Sequence, residues 1–265
     1  MKRKNLILIA FVCAIGIVTY FLLRTPEKVP KKEEAAIVAR EYPNFCTRLQ
    51  KIKIINRQPA FAPNYKLQWQ NKSALLVYFL DSAALVENRI INTANLWAKH
   101  CGISFKKTEK SYLSQIRITF KRGGYASAVG IECLENIYHD APTMFLKGLD
   151  TLKNEEEFTR VVLHEFGHAL GLEHELRKPS AKIPWDTVAV YDFYKKEYGW
   201  DTAEVNRSLF VPFTVPKKYD EFDSTSIMVY AVPPLLTKGR MVIEWPKGLS
   251  TTDKLSIATW YPKKK

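Results

Sequence analysis

Along the chain, apolar and polar positions fall into three regimes. Residues 6–23 form an unbroken apolar run without a charge, preceded by Lys2, Arg3 and Lys4. At 1.5 Å per residue that run spans about 27 Å, roughly a bilayer's hydrocarbon core. Residues 24–65 lose sustained periodicity and gather Lys, Glu and Pro, with one short helix expected over 32–40. From residue 66 onward the pattern is globular. Strands are expected at 74–80, 103–106 and 115–121, the last alternating Ile116, Ile118 and Phe120. Gly123 and Gly124 mark a turn before a further strand at 125–131. A short strand at 142–147 opens on Pro142, which places it at a sheet edge. Apolar spacing predicts a helix over 83–100. Another starts after Asn154, a good cap, with Glu155, Glu156 and Glu157 in the first turn where the dipole favours them. The rest is loop-rich apart from a helix near 188–198 and a last one from Thr251 toward Trp260. Strands first, a long helix across them, then an irregular lobe ending in a helix make an α+β layout.

The helix after Asn154 carries the chemistry. It reads His164-Glu165-Phe166-Gly167-His168-Ala169-Leu170-Gly171-Leu172-Glu173-His174, and it holds three of the five histidines in the chain. His164 and His168 are four apart, so they project from one helix face, one turn above the other. Glu165 leaves the same helix about 100° round from His164, within reach of a metal-bound water without being a ligand. His174 cannot join from a continued helix, because it would lie about 9 Å further along and be rotated by about 240°. The helix must stop and double back, and Gly171 is the residue that enters the left-handed conformation at little cost. Three imidazoles leave one position of a tetrahedral zinc open, as in a catalytic site with a single ion; four thiolates, or two with two histidines, mark structural sites.

Composition narrows the setting. Hydrophobic residues make up 46% of the chain and aromatics 12%, which excludes a disordered protein. The 265 residues suffice for one enzyme-sized domain and a leader. The net charge of +13 is scattered and comes with no nucleic-acid module, so solubility and mild attraction to acidic surfaces are expected rather than nucleic-acid binding. Residues 1–24 are read as a signal-anchor or signal peptide, with 6–23 the membrane contact; 25–65 as a linker or pro-segment; and 66–265 as the catalytic domain. Outside the apolar run stand Cys46, Cys101 and Cys133, an odd number. In an exported domain Cys101 and Cys133 are a disulfide candidate, with two buried free thiols as the alternative.

Downstream, Ser226-Ile227-Met228-Val229-Tyr230 completes a wider pattern. Together with the histidine motif it resembles the metzincin clan of zinc peptidases, and within it the astacin-type members of the compact bacterial kind. Glu175 directly after the third histidine, Arg177 shortly beyond, Tyr230 two residues after Met228, and segments 183–186 and 249–253 carry the resemblance, which covers residues 66–262. Val229 stands where the family usually has histidine, only two cysteines are present where four are common, and the aspartate motif of the family's prosegments is absent. Cys46 lacks a cysteine-switch sequence and is read as structural or incidental; His100 and His139 receive no role.

The resemblance implies a two-lobe catalytic domain with a twisted mixed sheet, a first helix and a zinc helix. It implies a monomeric, extracytoplasmic zinc endopeptidase acting on protein or peptide substrates, either anchored by the N-terminal helix or secreted after cleavage. Glu165 would act as general base on a zinc-activated water. Met228 would form a floor beneath the histidines. Tyr230 would be a displaceable fifth ligand able to stabilise the oxyanion. Residues 142–147 would be the edge strand that pairs with substrate. Glu175 would anchor a freed N-terminus after trimming between Arg24 and Lys66; without such a terminus it would pair with Arg177 or another cation, or be solvated. A zinc-retaining surface or adhesion protein that has lost catalysis is the alternative, and the intact Glu165 speaks against it.

Overall fold

Leu75, Val77 and Phe79 are buried along β1 (Ala74–Phe79) while the residues between them are half-buried, so one face of this strand packs into the core. The computed structural model describes residues 67–263 apart from 71, 72, 82, 122, 135–140 and 214–219. The apolar run 6–23, the segment 25–65 with Cys46, and His139 lie outside the described residues. Among the described residues no helix is long and apolar enough to cross a membrane.

β1 joins β2 (Ser104–Lys107), β3 (Ile116–Thr119), β4 (Tyr125–Ser127) and β5 (Met144–Leu146) in one sheet of order β2-β1-β3-β5-β4. All pairs are parallel except β4 with β5. The sheet is therefore mixed, with its antiparallel strand at one edge. β3 is buried along its whole length, as a strand covered on both faces should be.

The edge is not where the proline suggested. β5 lies between β3 and β4, and β4 is the open strand. Pro142 precedes the paired stretch, which begins where Thr143 N donates to Arg117 O at 2.8 Å, so the missing N–H of proline costs no ladder bond. β4 is also shorter than expected. Gly130 takes φ +53, and a Cβ there would collide with Leu67 O, so the chain turns into a 3-10 segment (Gly130–Leu134) instead of extending to 131.

The first helix, α1 (Ala84–Ala94), stops before the expected end at residue 100. Asn95 is the cause. Its amide donates to Phe105 O and its carbonyl accepts from Phe105 N, both at 2.9 Å, so the side chain pairs with β2 as a strand would. A short 3-10 turn (Trp97–Lys99) follows. The histidine-bearing helix, α2 (Glu155–Ala169), starts at the Asn154 cap, whose side chain accepts from Glu157 N at 3.0 Å. It packs on α1 and β4, and Phe166 meets Phe105 edge-on with centroids 4.7 Å apart.

The irregular lobe contains α3 (Thr187–Tyr198), capped by Asp186 and ended by Gly199 at φ +71. It closes with α4 (Thr251–Trp260), which begins in a capping box of Ser250 and Asp253. The end of α4 returns to α2, where Tyr261 Oη donates to Leu170 O at 2.7 Å; from before β1, Trp69 Nε1 donates to Ala169 O at 2.7 Å. These two bonds satisfy carbonyls that the end of α2 leaves without helical partners.

The disulfide candidate is not formed. Cys101 and Cys133 are separate buried thiols; the Cys101 Sγ faces Ile103 O at 3.4 Å and the Cys133 Sγ faces Ala128 O at 4.0 Å. Cys101 precedes β2 and Cys133 follows β4, the two strands at opposite edges of the sheet. A bridge needs Cα atoms within about 7 Å. Burial pushes the Cys133 thiol up to about 12, leaving it inert as a nucleophile.

Candidate metal centre

The three histidines converge. Their ligand atoms lie within 4.8 Å of one another, all buried, and Nε2 of His168 is 2.8 Å from Nε2 of His174. The turn that brings His174 back is the one expected at Gly171, which takes φ +100. Leu172 N reaches Gly167 O at 3.0 Å and Gly171 N reaches His168 O at 2.7 Å, the paired bonds of a Schellman end.

The outer nitrogens fix the tautomers. His164 Nδ1 donates to Ile227 O at 2.7 Å and His168 Nδ1 donates to Leu172 O at 2.8 Å, because a carbonyl only accepts. Their Nε2 atoms therefore hold lone pairs aimed inward, and His164 Nε2 is buried with no hydrogen-bond partner. Burial, with His168 alongside, pushes the His164 imidazole down to about 3, so it is neutral near pH 7, the form that ligates. An orphaned buried acceptor beside two converging ones, all nitrogen, fits a zinc ion held by His164, His168 and His174.

The Tyr230 hydroxyl lies 2.7 Å from His174 Nδ1, the nitrogen turned away from the converging Nε2 atoms. The other two Nδ1 atoms meet backbone carbonyls; this one meets a phenol. Tyr230 is thus the outer-shell partner of the third ligand here, the kind of contact that orients a metal-binding imidazole.

Met228 is buried against the helix at Gly167, between His164 and His168, and the glycine explains how it comes so close. A Cβ on Gly167 would stand 2.5 Å from Met228 Sδ and 3.2 Å from the Trp97 ring. The buried Asp253 then ties this turn to α4, accepting from Ser226 Oγ at 2.6 Å, Ile227 N at 2.8 Å and Ser250 N at 2.9 Å.

A cleft of about 320 Å³, open to solvent, lies beside the site and is lined by His164, Glu165 and Tyr230 with Tyr125, Arg160 and Trp245 among others. Glu165 is 1% exposed. Tyr125 comes from the edge strand β4, and burial pushes its phenol up to about 12. Arg160 is one helical turn before His164, and its guanidinium carbon lies over the Trp245 ring, 4.1 Å from the centroid. Sequence reasoning missed Tyr125, Arg160 and Trp245; the four-residue offset of Arg160 from His164 was the available signal.

Glu175 is buried, and burial raises its pKa above the usual carboxylate range despite Lys178 beside it. Its ion pair is with Lys178, at 2.6 Å, and not with Arg177. Arg177 is occupied elsewhere: it lies 3.7 Å from Glu173, and its Nε donates to Val211 O at 2.9 Å.

A mixed sheet crossed by a helix bearing HExxHxxGxxH, a methionine floor and an open imidazole site define a zinc metallopeptidase of the metzincin type, and the chain belongs to that family. A solved structure of myroilysin is 33% identical over 76% of this chain and 98% of that one, with a TM-score of 0.69. A crystal structure of myroilysin gives 30% identity over 83% and 91%, with a TM-score of 0.60. High choriolytic enzyme 1, a hatching enzyme zinc-protease from the medaka fish Oryzias latipes, shares the fold at 16% identity over 76% of this chain and 97% of that one, with a TM-score of 0.53. The sequence model of the matrixin peptidases matches residues 68–187. Comparison with curated protein sequences gives no match.

Proposed function

We propose that the chain is an astacin-like endopeptidase in which Glu165 is the general base, acting as a monomer on extracytoplasmic protein substrates. The observation that carries this reading is the convergence of three imidazoles, of which His164 lines a cleft that also holds Glu165. Zinc, when bound there, supplies a Lewis acid that lowers the pKa of water toward 7 and polarises a carbonyl. Glu165 takes the proton of the attacking water and returns it to the leaving amine. Tyr230, in the same cleft, orients His174 and by rotating its hydroxyl inward becomes a donor to the developing oxyanion. β4, with Tyr125 at its start, is the edge strand of the sheet, and its outer side is where an extended substrate would add as a further strand.

The cleft wall also supports a substrate preference. Arg160 is half-buried in the cleft wall, with Glu157 and Glu156 the acidic groups that act on it. An acidic substrate side chain next to the scissile bond would supply a further counter-charge from within the cleft. The test is a peptide library read with and without a zinc chelator. Cleavage is expected to stop on chelation and to return with zinc. Peptides carrying Glu are expected to be cleaved about tenfold faster than their Gln counterparts, given about 1.5–3 kcal/mol for a hydrogen bond to a charged group. Arg160→Met should bring that ratio to near one. Zinc binding with no hydrolysis of any peptide would leave the binding-protein alternative standing instead.

Residues 6–23 support anchoring of the domain to a membrane, with 25–65 as a stalk. N-terminal sequencing of the active enzyme from membrane and soluble fractions checks this. A membrane-bound chain beginning at Met1 is the expected result, and an active soluble chain beginning between 25 and 66 would replace anchoring with release.

A further inference from the structure

Glu175, next to the third ligand in sequence, is 7% exposed, a burial that calls for a counter-charge to its carboxylate. Lys178 provides it from three residues on, in a side chain as buried as that of Glu175. The same ammonium donates to Glu221 O at 3.0 Å, and Asp223 N donates to the second carboxylate oxygen of Glu175 at 3.2 Å. Ser226 N in turn donates to Asp223 O at 3.2 Å, and Glu175 N donates to Met228 O at 3.2 Å. Glu175, Asp223, Ser226 and Met228 thus form a closed loop of bonds, with Lys178 bracing it to the segment at 221. The two side chains that meet at Nδ1 of the third ligand, His174 and Tyr230, leave this loop from opposite sides: His174 one residue before Glu175, Tyr230 two residues after Met228.

We propose that Lys178 is a positioning residue for the zinc centre. By neutralising Glu175 from within the same turn and tying it to residue 221, it fixes the relative placement of His174 and Tyr230. The inference rests on the zinc-peptidase reading above. It departs from the resemblance, which implied a cation from outside this turn, the freed N-terminus, at the same carboxylate. With Lys178 seated there, the geometry of the third ligand does not depend on a cut elsewhere in the chain.

Lys178→Met in the full-length chain tests this. Zinc affinity, measured by competition with a chromogenic chelator, is expected to fall about 10- to 100-fold, the range for loss of an outer-shell partner. kcat should fall with KM changed less than about twofold, because the substrate cleft is untouched. A merely structural lysine would lower the stability of the zinc-free protein and leave zinc affinity where it was; that result overturns the proposal. Should K178M fail to fold, the double variant E175Q/K178M carries no orphaned buried charge and keeps a comparable volume. It is expected to fold and still bind zinc at least about tenfold more weakly; wild-type affinity in it also overturns the proposal. Zinc affinity reads separately from hydrolysis, so a chain that binds zinc tightly yet cleaves nothing refutes the peptidase reading and leaves this one intact.

Discussion

Glu165→Gln is expected to lower kcat/KM on a cleavable peptide by about 10²- to 10⁴-fold, the range for removal of a general acid–base group. The substitution keeps the length and planarity of the side chain and takes away only its ability to accept a proton. Glu165 is buried, so the variant replaces a buried carboxylate with a neutral amide of the same shape, and folding should not suffer. It is not among the three imidazole ligands, so zinc content should stay at that of the wild type. The two readings together isolate the chemistry: activity lost, metal kept. Single-turnover kinetics would place the loss in the hydrolytic step rather than in binding. A variant within about tenfold of wild type would mean that another group takes the proton, and the cleft offers few; Tyr125, with its phenol raised to about 12, is poorly matched to the task near pH 7.

What the sequence disclosed and what it hid divide along the distance between interacting residues. The convergence of His164, His168 and His174 and the reversal at Gly171 were legible because a helix repeats every 3.6 residues, so their offsets impose the turn whatever the rest of the fold does. The Asn154 cap is equally local. The Glu175–Lys178 pair was within reach of the same reasoning, since residues three apart in a helical turn are neighbours, but the resemblance drew attention to Arg177 and to a distant N-terminus instead. The errors lie where pairing is non-local. Pro142 reads as an edge signal only if it falls inside the paired stretch, and strand order, which no short window contains, decided that β4 and not β5 is open. The same order separates Cys101 from Cys133. The helix predicted to residue 100 ended early because Asn95 found strand-like partners on Phe105, a contact that apolar periodicity does not register. Arg160 kept its local signal, yet its meaning as a cleft wall depends on Trp245, which arrives from the irregular lobe.

Asp253 is visible in sequence at the start of the last helix and within the segment 249–253 that carries the resemblance, and the structure makes it a site of large expected loss of stability. Its carboxylate accepts three hydrogen bonds in a buried setting, from Ser226 Oγ, Ile227 N and Ser250 N. Asp253→Ala leaves all three donors without that acceptor. The Ser226 hydroxyl can rotate, and its oxygen still accepts from Met228 N at 3.0 Å, so the cost falls mainly on the two backbone N–H groups. At about 1–3 kcal/mol for each buried donor left unsatisfied, the expected loss is about 3 kcal/mol. For a domain of this size that lowers the Tm of the zinc-free protein by about 6–12 °C. A second effect should accompany it. Ile227, whose N–H loses its partner, is the residue whose carbonyl holds His164 Nδ1, so the first ligand loosens as the turn does, and zinc affinity should fall about 10- to 100-fold. Asp253→Asn separates the two effects. Its amide oxygen can serve one backbone donor while its NH₂ confronts another, so it should fall between Ala and wild type in Tm. Thermal unfolding of the three proteins, each with and without zinc, reads both effects. A zinc-free D253A protein melting within about 2 °C of wild type would show that water replaces the carboxylate, and that α4 does not support the metal centre through this residue.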